Sequence, residues 1–201
     1  RSLHVTGVQT CALPISSDGI RLFSKGSLKF AKPGSMSPNQ LRFEDDAAAK
    51  EVDGFGLAVT TASAYNLLKM SQEDRTAILT ELFSPTEGAG SGLIRVSIGA
   101  SDFCLKDEYT WCDTKGLENF AVAKEDKDYL FPVLKEIYAI NPDVKIIGSP
   151  WSCPKWMKGG SYGYEKFDKK YLERDFPNWT SGRLKPSCYA DYATYFVKWI
   201  H

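Results

Sequence analysis

Between Gly54 and Gly148 the chain alternates short apolar runs with amphipathic stretches. That alternation restricts the fold more than any other feature. Gly54-Phe55-Gly56-Leu57-Ala58-Val59-Thr60 is an apolar run opened by glycines and is predicted to be a buried strand. Ser71 then caps a helix, with Asp74 as its capping-box partner. Ala77, Ile78, Leu82 and Phe83 follow at helical spacing, and Ser84-Pro85 ends the helix. Leu93 to Ile98 reads as the next strand. A second helix has Leu130, Leu134, Ile137 and Tyr138 on its apolar face. Pro132 falls near its first turn, where a missing N–H is harmless, and Asn141-Pro142-Asp143 stops it. Val144-Lys145-Ile146-Ile147-Gly148 is a third strand, apolar enough to be predicted buried on both faces. Tyr189 to Ile200 is a last amphipathic segment, with Tyr192, Tyr195, Phe196 and Trp199 on one side.

Strands that alternate with helices pair in parallel through right-handed crossovers. The fold class is therefore α/β, either a doubly wound sheet or a (β/α)8 barrel. No G-x-G-x-x-G or G-K-[ST] motif opens a helix, which disfavours a nucleotide-binding sheet. The long loops follow strand C-termini, the face that carries the active site in a barrel.

Composition excludes some partners. The formal net charge is zero, which argues against nucleic acid or an anionic membrane surface. No apolar stretch is long enough for an integral membrane segment. No signal peptide is seen. Arg1 to Ser16 has neither helical nor strand period, and Val5 to Ile15 resembles the translation of a sequencing-library adapter. Residues 1–16 are therefore expected to be non-native. Residues 17–50 contain three candidate short strands, Ile20 to Phe23, Ser27 to Phe30 and Gln40 to Phe43. Cys104, Cys112, Cys153 and Cys188 permit disulfides or four free thiols, and no zinc-ligand spacing joins them. No metal or cofactor is expected.

Two strand ends hold the candidate site residues. Arg95 lies inside an apolar strand, where an unpaired guanidinium is costly, so it is expected to face a carboxylate at the barrel mouth. Asp102 lies beyond that strand's end, placed to accept bonds from sugar hydroxyls. A buried Arg–Asp pair that only stabilises the loop is the alternative. Past the third strand, prolines stiffen the chain around Trp151 in Ser149-Pro150-Trp151-Ser152-Cys153-Pro154-Lys155-Trp156. A rigid exposed indole there would stack against the C–H face of a pyranose. Trp151 and Trp156 as core aromatics are the other reading. Lys158 to Pro186 is rich in Tyr, Phe and Trp, and either walls a saccharide cleft or forms a satellite core. Glu165, Asp168, Glu173 and Asp175 read as solvated loop charges.

These blocks, DGFGLAVTTASAYNLL, LFSPTEGAGSGLIRVSIGASDF, LKEIYAINPDVKIIGSPWSCPKWMK and YATYFVKWI, resemble glycoside hydrolase family 30. The family includes glucosylceramidases and endo-β-1,6-glucanases, and the resemblance runs from about Val52 to the C-terminus. It implies the N-terminal part of a (β/α)8 TIM barrel over residues 51–201, preceded by strands of a side β-sandwich in 17–50. It implies Asp102 and Trp151 as contacts to the sugar, Phe103 as a rim aromatic, and Arg95 as support for the catalytic centre. At Thr61 the chain departs from the Asp found in many members. The family's acid/base and nucleophile glutamates belong to later strands, so no catalytic residue is expected in this chain. A retaining mechanism needs two carboxyls roughly 5–5.5 Å apart. The implied substrate is a β-glucan or a β-glucosyl conjugate, and the implied location is secreted, periplasmic or cell-surface. The chain by itself is expected to be inactive and unstable, with an unpaired edge strand. A non-catalytic carbohydrate-binding protein on the same barrel is the second hypothesis.

Overall fold

The computed structural model describes residues 15–16, 19–20, 52–106, 108–160, 169–179 and 181–201. The chain divides into two compact units, Arg1–Val52 and Asp53–His201. In the first, β1 (Ile15–Ser16) pairs antiparallel with β2 (Gly19–Ile20). The rest of the candidate N-terminal strands and the adapter-like segment up to Pro14 lie outside the described residues.

The second unit is built on a parallel three-stranded sheet, ordered β3 (Gly56–Ala58), β4 (Leu93–Ile98), β5 (Lys145–Pro150). Register sorts its side chains into two faces. Leu57, Ile94 and Ile146 form one row, with Val96 beside Gly148 further along; Ala58, Arg95 and Ile147 form a row on the other face. The first face meets α1 (Thr61–Lys69), α2 (Gln72–Phe83) and α3 (Phe131–Ile140). Val59, Ala64, Leu79, Phe83, Ile94, Val96, Leu130, Val133, Ile137 and Val144 form the core there. Burial of large side chains at about 1.5–3 kcal/mol each makes this layer the main source of stability. α5 (Tyr189–Ile200) reaches the same face at Gly148, where a Cβ would stand 2.8 Å from the Trp199 ring. Among the described residues the helices cover one face only. That is the wall of a barrel, whereas a doubly wound sheet is covered on both faces.

Local signals explain the helix ends. Ser71 Oγ accepts from Asp74 N at 3.1 Å and donates to the Asp74 carboxylate at 2.7 Å. Pro132 lies in the first turn of α3, which continues directly from a π-helical turn, Asp126–Leu130. Asn141 ends α3 and donates through Nδ2 to the Phe83 carbonyl at 3.0 Å, tying it to the end of α2. Arg75 of α2 is buried and pairs with Glu136 of α3 at 2.8 Å.

Several sequence expectations change. The first and third strands are not buried: Gly56 and Ala58 are exposed, and so are Lys145, Ile146 and Ile147. Both are sheet edges in this structure, so only central β4 has neighbours on both sides. Tyr138 faces outward and Val133 takes its place in the core. α1 was not anticipated, because its first turn follows β3 with only Val59 and Thr60 between. The region 158–186 is also partly regular. β6 (Lys158–Gly159) pairs antiparallel with β7 (Arg183–Leu184), and α4 (Lys169–Leu172) lies between them. All four cysteines of this unit are free and buried.

Three tyrosines sheltered from solvent make the unit sensitive to alkali. Burial pushes the Tyr195 phenol up to about 12, and raises Tyr109 and Tyr192 further. In an unfolded chain these phenols ionise near ~10. Their stabilising contribution is therefore full below about pH 10 and is lost as pH rises through the folded value. Tyrosinate absorbance and circular dichroism are expected to change together above that pH. Complete tyrosinate formation near pH 10 with native dichroism intact would contradict this.

Candidate functional site

The site lies where β3, β4 and β5 end. Two residues past β3, Thr60 caps α1, its Oγ1 accepting from Ser63 N at 3.2 Å. This capped turn brings Thr60, Ala62, Ser63 and Asn66 to the cleft wall. The cleft has a volume of about 630 Å³, and Arg95, Asp102, Phe103 and Trp151 all line it. The four residues singled out in the sequence therefore meet in one place.

Arg95 is exposed on the bare face of β4. Its Nη2 donates to Ser149 Oγ on β5 at 2.9 Å. Among the described residues its partner is this hydroxyl, where a carboxylate was expected, and Arg95 forms no buried pair with Asp102. On this exposed face the guanidinium is open to solvent, where an unpaired charge carries little of the cost it would have in a buried strand.

Asp102 and Phe103 stand on the loop after β4, and Phe103 is 71% exposed. Among the described residues no hydrogen bond or ion pair engages the Asp102 carboxylate. The loop beneath them is held tightly. Gly99 turns the chain at φ +81, a conformation that favours glycine, and a Cβ there would stand 3.1 Å from Tyr109 O. Ala100 N donates to that carbonyl at 2.8 Å. Cys104 accepts from Ser101 N at 3.1 Å, and Leu105 N donates to Thr61 Oγ1 at 3.1 Å. Thr61 is thus a buried anchor of the loop. Burial opposes ionisation of the Cys104 thiol, but hydrogen bonds from Ser101, Thr61 and Ser97 outweigh it and lower its pKa.

Trp151 follows β5 and is 47% exposed. The chain after it is fixed at two points: Ser152 Oγ donates to Trp179 O at 2.8 Å, and Pro154 is fully buried. Trp156 instead donates through Nε1 to Cys112 O at 2.9 Å and packs inward. The two tryptophans therefore divide, one at the cleft and one in the core.

The region after β6 contributes packing. Trp179 is buried against Ala100, Cys104 and Tyr109, directly under the Asp102 loop. Lys158 is buried too, and its Nζ donates to the carbonyls of Trp179 and Ser181. Burial lowers its pKa. Glu173 accepts from Ser187 N at 2.8 Å, and Asp175 pairs with Lys185, so these are structural partners beyond simple loop charges. Tyr162, Tyr164, Glu165, Phe167 and Asp168 lie outside the described residues. Among the described residues no group of three or more His, Cys, Asp or Glu is placed to hold a metal ion. No helix of the described residues is long and apolar enough to cross a membrane.

Ala58, Thr60, Ala62, Ser63, Asn66, Ser101 and Cys104 complete the lining, and the sequence reading singles out none of them as site residues. The signal for α1 was present as Thr60-x-x-Ser63 ahead of Ala64, Leu67 and Leu68 at helical spacing.

Comparison with known proteins agrees with this geometry. The TIM-barrel domain model of glycosyl hydrolase family 30 matches residues 52–200. An endo-1,6-β-D-glucanase of Aspergillus fumigatus is 33% identical over 181 residues, covering 84% of this chain and 35% of the relative. The lysosomal acid glucosylceramidase of Mus musculus is 31% identical over 122 residues, 59% of this chain and 23% of the relative. Among solved structures, the endo-β1,6-glucanase BT3312 superimposes with a TM-score of 0.67 at 55% identity, covering 74% of this chain and 30% of that one. SrfJ of Salmonella typhimurium superimposes with a TM-score of 0.60 at 25% identity, over 75% and 30% of the two chains. The chain thus spans about a third of the length of these glucanases, and it belongs to glycosyl hydrolase family 30.

Proposed function

We propose that this chain supplies the sugar-binding floor of a retaining β-glucoside hydrolase whose substrate is a β-1,6-linked glucan. The observation that carries the reading is the meeting of Asp102, Trp151, Phe103 and Arg95 in one open cleft at the strand ends. An exposed indole offers a stacking face to a pyranose. A carboxylate accepts strong hydrogen bonds from its hydroxyls. The bare guanidinium of Arg95 offers donors from below. The 55% identity with an endo-β1,6-glucanase favours that linkage over the glucosylceramide of the more distant relative.

The same cleft argues against chemistry by this chain alone. Asp102 is the single carboxylate in its lining among the described residues, and retention requires two. The chain is therefore expected to bind without hydrolysing. Titrating it with β-1,6- and β-1,4-linked gluco-oligosaccharides and following tryptophan fluorescence tests the first half. Assaying release of reducing ends tests the second. Preferential quenching by the β-1,6 series with no product is the expected result. Equal response to both linkages would remove the substrate assignment. Turnover lost in D102N would mean that the chain carries its own catalytic pair.

A further inference from the structure

We infer that Asp126 is a positioning residue for the cleft, setting the loop that presents Asp102 and Phe103; this rests on the sugar-binding reading above. Asp126 is 2% exposed, yet no cation faces it among its described hydrogen-bonding partners. Its two carboxylate oxygens are used by two different residues of one loop. Tyr109 Oη donates to Oδ1 at 2.9 Å, and Trp111 Nε1 donates to Oδ2 at 2.5 Å. Burial raises the Asp126 pKa, and the bonds from Trp111 and Tyr109 act against that rise. A carboxyl kept in so unfavourable a place is doing something that an apolar side chain in the same space does not.

Its position says what. Asp126 opens the π-helical turn that runs directly into α3, and α3 packs in the main core through Val133 and Ile137. π-turns inside helices redirect side chains and recur at functional sites. One end of the link is therefore rigid. At the other end, Tyr109 O receives Ala100 N, two residues before Asp102. Tyr109 also packs with Ala100, Cys104 and Trp179, the floor under Asp102. Trp111 adds a second route, its N donating to Tyr195 Oη at 3.2 Å and its carbonyl accepting from Ala121 N at 2.7 Å. Thus the carboxylate fastens the segment that carries Tyr109 and Trp111 to the helix layer at two points. Asp126 itself is not among the residues that line the cleft.

Chemistry distinguishes this from filling space. In D126N the amide oxygen takes the place of Oδ2 and accepts from Trp111 Nε1, which can only donate. The amide nitrogen takes the place of Oδ1 and donates to the Tyr109 hydroxyl, whose proton turns towards Thr61, a side chain already within its hydrogen-bonding reach. Both fastenings survive without the charge. In D126L both donors are stranded in a buried site, a cost that opens the loop.

Hydrogen exchange of the 201-residue chain, read with its affinity for a β-1,6-gluco-oligosaccharide, tests the inference. In D126L the amides of Ala100 and Trp111 are expected to exchange about tenfold faster or more, with those of β4 unchanged. The dissociation constant should rise about tenfold, a transmitted share of the stranded-donor cost. D126N should stay within about twofold on both readouts, its hydrogen-bond count being intact. Unchanged loop exchange in D126L overturns the inference, and so does faster exchange at unaltered affinity. A parent chain that binds no glucoside sinks the reading of the cleft. Exchange then still decides whether Asp126 sets this loop. Should D126L fail to fold, Y109F removes a single donor, and slow parental exchange at Ala100 in that variant would also overturn it.

Discussion

Replacing Phe83 by alanine is expected to cost the α/β unit about 3–5 kcal/mol, the range for a fully buried aromatic reduced to a methyl. Phe83 closes α2 with no exposed surface and belongs to the cluster that joins α2, β4 and α3. The residue touches the structure twice. Its ring fills the space between helix layer and sheet, and its carbonyl receives Asn141 Nδ2 where α3 ends. A void there leaves the neighbours without contacts, and relaxation of one helix is resisted by the other through Arg75 and Glu136. Small domains hold only about 5–15 kcal/mol in total. The loss is therefore comparable with the whole stability of a three-strand unit carrying two open edges. Urea unfolding followed by far-ultraviolet dichroism is the measurement, with Tyr138→Ala as the contrast. Tyr138 lies on the outward side of the same layer, and its removal is expected to cost within about 0.5 kcal/mol. Equal losses for the two variants would mean that the helix layer is not packed as described.

That contrast also marks how far the sequence is legible. Tyr138 and Val133 both fit an apolar helical stripe, and periodicity cannot say which side of a wide stripe meets the sheet. The strands are legible because an apolar run bounded by glycines or prolines is too short to make a helix. Their burial is not, because apolar content reports what a strand suits, whereas exposure depends on its neighbours in the sheet. β5 carries Ile146 and Ile147 yet stands at an edge. α1 escapes notice because its cap sits almost against β3, leaving no loop to announce it. Arg95 stands out as an oddity in its strand, but the open face that lets a hydroxyl serve as its partner is a property of the sheet. Asp126 gives no signal at all. An aspartate in a run of mixed charges, Lys124 to Asp128, reads as solvated until its donors, 15 and 17 residues earlier, are seen around it.

Trp151→Ala is expected to weaken binding of a β-1,6-gluco-oligosaccharide about thirtyfold, since truncating an aromatic anchor costs about 2 kcal/mol or more. The size follows from rigidity as much as from area. Ser152 is tied to Trp179 O at 2.8 Å and Pro154 is buried, so the indole is held ready before sugar arrives. Little ordering entropy remains to be lost on binding. Trp151→Phe keeps a π-face of smaller area and should lose about fivefold or less, the margin that separates stacking partners. Asp102→Asn keeps the shape but gives up charge-assisted bonds, and about tenfold is expected. Trp156 provides the control that divides binding from folding. Its ring packs inward and its Nε1 is bonded to Cys112 O at 2.9 Å. Trp156→Phe should therefore lower the melting temperature and leave affinity near the parent value. Isothermal titration alongside thermal unfolding reads both quantities for each variant. A Trp151→Ala protein that binds like its parent would place the sugar elsewhere. A Trp156→Phe protein that loses affinity at full stability would show that the inner tryptophan also faces the ligand. Only the opposite pairing, affinity lost at 151 and stability lost at 156, follows from a floor whose exposed ring binds and whose buried ring holds.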